Sequence, residues 1–323
     1  MLVLVLLLRL LISTQLTAGK QTYPFLASIQ RNKVQLHQQA VNSLLITSLS
    51  AYTVGSAERF CMTQNIEGLN VPDLAWGTAN AKTITLSFWV RSSLTGTFGG
   101  AISNSAQNRS YPFTYTISSA NTFEQKTITI TGDTSGTWLT TSGIGLRVIW
   151  GLGVGSTLST TAGAWAAGEY YSATGATSVV GTNGATLYIT GVQLEVGSVA
   201  TPFERRDYGR ELIMCQRYYY AHARGSGIII GSASNYSATE MYGVLSFPVT
   251  MRTSPTIAQV TGTNYYRFFR NGASDDFNSF VQQGNGVNAY GFYNDSEISG
   301  TAGHAGWVQT GNASSFLAFS AEL

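Results

Sequence analysis

The stretch TITLSFWVR, residues 83–91, decides the fold class. Ile84, Leu86, Phe88 and Val90 fall on one side of an extended chain; Thr83, Thr85, Ser87, Trp89 and Arg91 fall on the other. Successive side chains of a strand point to opposite faces, so this alternation predicts a half-buried β-strand with one apolar face. Working outward, similar runs occupy residues 112–118, 127–131, 145–152 and 185–195. Turn clusters stand between them at Gly99-Gly100, Gly132-Asp133, Ser142-Gly143 and Asn183-Gly184, the last being the strongest hairpin signal of the set. Strands at this spacing, with no long helical pattern, predict an all-β jelly-roll β-sandwich.

The pattern breaks at residues 201–220, TPFERRDYGRELIMCQRYYY, which are charge-rich. Glu211, Leu212, Met214, Cys215 and Tyr218 recur there at helix-like intervals, which predicts a linker or short helix. A second set of strand signals follows at 228–231, 242–247, 256–261, 265–270, 290–293 and 315–322. The expected organisation is a packing or attachment segment over 1–50, a jelly roll over 51–205, a linker with a short helix over 206–222, and a second small β-sandwich over 223–323. Residues 2–12 form an apolar run open to three readings: the core of a signal peptide, a buried or trimer-packed strand, or an artefactual start in front of a degraded sequence. No basic residue precedes it, Arg9 interrupts it, and it is shorter than the roughly 20 residues that span a bilayer, so no membrane span is expected. Residues 34–45 read as a short amphipathic stretch.

Only 11% of the 323 residues are charged, less than half the roughly 25% of ordinary soluble domains. Aromatic residues make up 12% and glycine contributes 35 positions, a mix that excludes disorder and fits tight turns with an uncharged polar surface. The net charge of +2 leaves no footprint for nucleic acid. Arg205, Arg206 and Arg210 are punctuated by Glu204, Asp207 and Glu211, a salt-bridged linker rather than a phosphate cradle. Cys61 and Cys215 match no CxxC spacing and read as buried thiols rather than a disulfide.

Three long motifs carry a family resemblance. LYITGVQLEVGSVATPFERRDYGRELIMCQRYY, residues 187–219, closely resembles a junction found in many phage and prophage tail-fibre and virion structural proteins. Upstream, IEGLNVPDLAWGTANAKTITLSFWVRSS (66–93) and GDTSGTW (132–138) are similar to the carbohydrate-binding-like jelly-roll module that precedes this junction. Downstream, FPVTMRTSPTI (247–257) and the terminal SAEL look like the small C-terminal β domain of the same proteins. The resemblance covers about residues 51–323; residues 1–50 match poorly. It implies a virion location, a homotrimeric habit, other tail or capsid proteins as partners of the N-terminal segment, and frequent contact with the host surface. It fixes no catalytic residue.

No catalytic, cofactor or metal signature emerges from the residues. His37, His222 and His304 have no neighbour at metal spacing, although a ring of identical His304 side chains from several copies could trap an ion. GSGIIIG, residues 225–231, lacks the lysine of a phosphate loop. Asp275, Asp276, Asp295 and Glu297 read as a solvated loop cluster, with a calcium site or a glycosidase pair as the sharper alternatives. Binding has better support. Sugars offer an apolar ring face to Trp or Tyr and a hydroxyl rim to amides and Arg. Trp89 and Arg91 share the outward face of their strand, and Trp138 and Trp165 stand near glycine-rich turns. In the C-terminal domain the candidates for carbohydrate or partner contact are Tyr265, Tyr266, Arg267, Tyr290, Tyr293 and Trp307, within a Tyr, Asn, Ser and Gly mix suited to adaptable recognition. The expected function is non-catalytic, multivalent binding of bacterial surface glycan by a fibre subunit. The competing expectation is an architectural virion protein whose aromatics all serve assembly.

Overall fold

The computed structural model describes residues 3–6, 32–36 and 39–323, with side chains from Ser43 onward. The chain divides into two compact units, residues 1–205 and 206–323.

Eight long strands build the first unit: β1 (Gln39–Thr47), β2 (Arg59–Glu67), β3 (Ile84–Ser92), β4 (Gly96–Asn104), β5 (Arg109–Ile117), β6 (Glu124–Ile130), β7 (Ile144–Val154) and β8 (Thr186–Val196). One sheet runs β1-β8-β3-β6 and the other β5-β4-β7-β2, every pair antiparallel. With the strands numbered along the chain, this 1-8-3-6 and 5-4-7-2 order is that of a jelly roll, two Greek keys folded into two sheets. Ile84, Leu86, Phe88 and Val90 are all fully buried between the sheets, facing Phe98, Ile102, Leu146, Val148 and Trp150. The alternation of residues 83–91 therefore marks the core face.

Several turn and strand expectations need correction. Gly99-Gly100 lies in the middle of β4, not in a turn. A side chain at Gly99 would strike Ser172, and one at Gly100 would strike the Phe113 ring. The glycines are there for close packing of sheet and cover. Asn183-Gly184 turns the chain into β8 but joins no two-residue hairpin, whereas Asn271-Gly272 does. Both of those residues have positive φ, 40° and 75°, as the favoured hairpin turn requires. Of residues 34–45, expected to be amphipathic, 34–36 fall in the strand Asn32–Leu36 and 39–45 in β1, and these two strands pair with each other. Within the apolar run 2–12, Val3–Leu6 form a strand paired with Val192–Glu195 of β8; the rest of that run, His37 and most of the expected attachment segment lie outside the described residues.

The second unit begins with α1 (Tyr208–Gln216), where Asp207 caps the helix by accepting from the backbone N–H groups of Gly209 and Arg210. Such a cap stabilises a helix by about 1 kcal/mol. Ten strands follow: β9 (Tyr219–Arg224), β10 (Ile229–Asn235), β11 (Met241–Ser246), β12 (Thr256–Gln259), β13 (Tyr266–Arg270), β14 (Ala273–Phe277), β15 (Val281–Asn285), β16 (Ala289–Asn294), β17 (Ala305–Thr310) and β18 (Phe316–Ser320). They form a three-stranded sheet, β9-β18-β12, and a seven-stranded sheet, β14-β13-β17-β10-β11-β16-β15. Leu317 and Phe319 from the small sheet join Met241, Phe268, Phe292 and Val308 from the large one in a single core. The architecture is all-β, a large sandwich and a smaller one with a short helix between their strand sets.

Candidate functional site

Pleating of β13 sends Tyr266, Phe268 and Arg270 into the core and leaves Arg267 and Phe269 on the other face. Register then extends that outer face across the sheet. Phe269 stands opposite Trp307 of β17, Trp307 opposite Ser232 of β10, Ser232 opposite Val244 of β11, and Val244 opposite Gly291 of β16. Two residues along the strands, Tyr242 of β11 stands opposite Tyr293 of β16. Two aromatic pairs result. The Phe269 and Trp307 rings stack at 5.2 Å and 13°, and those of Tyr242 and Tyr293 at 5.5 Å and 17°. Trp307 is 47% exposed and Val244 63%. Tyr236, itself exposed, leans on Tyr242 at 4.8 Å.

The positive charge of Arg267 is neutralised in place. The Arg267 guanidinium grips the Asp276 carboxylate through Nε and through Nη2, the latter at 2.9 Å. That contact holds the Asp276 carboxyl below its ordinary value of 3.8 and lifts Arg267 further above its own. Desolvation first, then Glu240 and the neighbouring phenols, raises Tyr242 above 10.0. Nothing on the platform therefore changes charge near neutrality, and binding to it is expected to stay flat from about pH 5 to pH 9. Affinity measured across that window checks this; a titration midpoint inside it would contradict it.

The structure sorts the sequence candidates. Arg267, Tyr293 and Trp307 share the outer face. Tyr266 and Tyr290 are core residues, the first with its hydroxyl donated to the Val260 and Phe316 carbonyls, so a surface ligand reaches neither. Tyr265 is half-buried beside the core at the start of β13 and apart from the aromatic pairs. In the first unit, Trp89 and Arg91 lie on the outer face of the β3 sheet, where Arg91 sits 4.9 Å from the Tyr188 ring and 5.9 Å from that of Phe123. Trp138 and Trp165 join Trp76 in an edge-on cluster with centroids 4.7–5.4 Å apart. Their indole N–H groups donate to the backbone carbonyls of Ser135, Thr131 and Lys82, so none is left for a sugar rim. That cluster fastens loops. Phe269 and Tyr242 complete the platform and were not among the candidate site residues. For Tyr242 the signal was present, since Met241 and Leu245 alternate with Tyr242 and Val244.

The acidic residues do not form the expected loop cluster. Asp275 and Asp276 lie in β14, and Asp275 pairs with Arg270 at 2.6 Å. Glu297 accepts from the Asn278 N–H and the Asn294 amide. Among the described residues, no group of three or more His, Cys, Asp or Glu side chains is placed to hold a metal ion. His222 is half-buried, bonded to the Tyr220 hydroxyl and the Ile230 carbonyl. Cys61 and Cys215 form no disulfide, and burial pushes the Cys61 thiol up to about 11, far from a reactive thiolate.

No protein-family model and no curated protein matches this chain. A solved structure titled "CBM4 structure and function" is similar over 49% of this chain and 74% of its own length, at 14% identity and a TM-score of 0.27. A likeness at that level says nothing of what this chain binds.

Proposed function

We propose that this protein is a non-catalytic, glycan-binding structural subunit of a bacteriophage virion, a tail fibre or fibre-like component displayed on the particle surface. The observation that carries the binding reading is the stacked Phe269 and Trp307 pair, presented to solvent on a sheet face whose Arg267 is already paired with Asp276. Exposed aromatic planes are costly to leave uncovered and suit the apolar face of a pyranose. The virion assignment rests on the motifs at 66–93, 132–138, 187–219 and 247–257. In this reading the chain forms a homotrimer, its N-terminal segment meets other virion proteins, and weak sugar contacts repeated by symmetry gain avidity without one tight site.

A second reading, a purely architectural subunit, draws on α1. None of its residues is buried, and Leu212 and Ile213 are exposed, as expected of a helix that packs on another copy.

Glycan-array and whole-cell binding by the intact chain, beside Trp307→Ala, separates the two. Loss of about tenfold or more in the variant, with an unchanged melting curve, supports the platform. Absence of binding to any glycan or cell by a folded, intact oligomer would leave the architectural reading.

A further inference from the structure

We infer that the outer face of the seven-stranded sheet takes a neutral, linear oligosaccharide laid across both aromatic pairs, rather than a single sugar or an acidic polymer. This rests on the glycan reading above and specifies its ligand.

Length follows from the strand register. Trp307 is level with Val244, two strands away, and Tyr242 lies two residues along β11 from Val244. With strands about 4.8 Å apart and a rise of about 3.4 Å per residue, the backbone positions of Trp307 and Tyr242 are separated by roughly 12 Å. That span exceeds one pyranose ring, so a monosaccharide can engage one pair only. The surface between them carries Ser232, Ser234 and Val244, which offer hydroxyls and a small apolar step, with no bulky side chain to block a chain lying flat.

Charge sets the class. Arg267, the nearest cation, is committed to Asp276 through two nitrogens. At the tyrosine end Glu240 and Asp295 both act on the Tyr242 phenol. A carboxylated polymer would find no free cation at one end and like charge at the other. A neutral chain meets no such repulsion, and finds aromatic planes, hydroxyls and the Gln309 amide, which stands opposite Arg267.

Calorimetric titration of the intact protein with neutral gluco- and mannooligosaccharides, from mono- to hexasaccharide, tests this beside oligogalacturonates of matched length. Affinity is expected to rise with length until both pairs are engaged and then level off. Trp307→Ala and Tyr242→Ala should each cost the long neutral ligands about tenfold, with melting curves unchanged because neither side chain is in the core. Equal or tighter binding of the oligogalacturonates, or an affinity that ignores length, overturns the inference while leaving glycan binding intact. No binding of either series to the folded protein overturns the glycan reading, and this inference with it.

Discussion

Replacing Asp133 by alanine is expected to destabilise the first unit by about 3 kcal/mol and to lower its melting temperature by roughly 6–12 °C. Asp133 lies in the loop after β6 with its side chain almost wholly buried, 2% exposed. Its two oxygens receive Arg109 Nε at 2.8 Å and Nη2 at 2.6 Å, and the Ser135 N–H and hydroxyl bind Oδ1 as well. Removing the carboxylate leaves the Arg109 guanidinium, at 18% exposure, without its counter-charge and beside the Trp165 ring. An intact buried pair adds little over an apolar substitute, but half of one is strongly destabilising. The residual exposure of Arg109 places the estimate at the low end of the range for broken buried pairs.

The pH dependence of that loss identifies its cause. Burial works to raise the Asp133 carboxyl, but the Arg109 and Ser135 hydrogen bonds outweigh it and hold the group below 3.8. A carboxyl depressed in the folded state contributes stability that is fully present above its unfolded value, about 3.9, and is lost as pH falls through the folded value. The gap between wild type and Asp133→Ala should be constant from pH 5 to 8 and should close progressively below about pH 4. Urea melts at neutral and acid pH measure it. A gap of equal size at pH 3 and pH 7 would mean that shape, not charge, sets the loss.

How much of this could be read from the sequence varies with how alternation meets the core. Residues 83–91 declare both strand and inward face because apolar and polar side chains alternate without a fault. The strand β2, RFCMTQNIE, was missed although Phe60, Met62 and Ile66 share its buried side, since Gln64 breaks the series between them. In β4, GTFGGAISN, four of the nine residues are glycine or alanine, so packing against Ser172 and Phe113 leaves almost no periodic signal. The platform was half legible for a related reason. In YYRFFR, residues 265–270, aromatics occupy both parities, so composition announces an aromatic strand but not which rings face out. Register against β17 settles it, putting Phe269 beside Trp307 and Phe268 beside Val308. That pairing joins residues about forty positions apart, which no local window contains.

The same register makes Gly306 the position where fold and site are most tightly coupled, and Gly306→Ala is expected to cost about 4 kcal/mol or more. Gly306 lies on β17 between Arg270 of β13 and Ala233 of β10. A β-carbon there would fall on the Phe269 carbonyl oxygen, 2.7 Å from the Phe269 carbonyl carbon and 3.1 Å from the Arg270 Cα. All three are backbone atoms, so no rotamer change relieves the overlap and β13 must move away from β17. The strands that separate are those that hold Phe269 against Trp307, so the variant should lose the stacked pair together with its stability. Gly272→Ala supplies the contrast. Gly272 has φ of 75° with open space around its would-be β-carbon, so that variant carries only the strain of a left-handed residue, on the order of 1 kcal/mol. Thermal melts of the two variants, read with oligosaccharide affinity at a temperature where both remain folded, check the coupling. Gly272→Ala should bind as wild type does. Gly306→Ala should be at least as impaired as Trp307→Ala, because it displaces both rings of the pair where Trp307→Ala removes one. Wild-type affinity in a destabilised Gly306→Ala would separate the site from the strand spacing and move the contact surface away from Phe269 and Trp307.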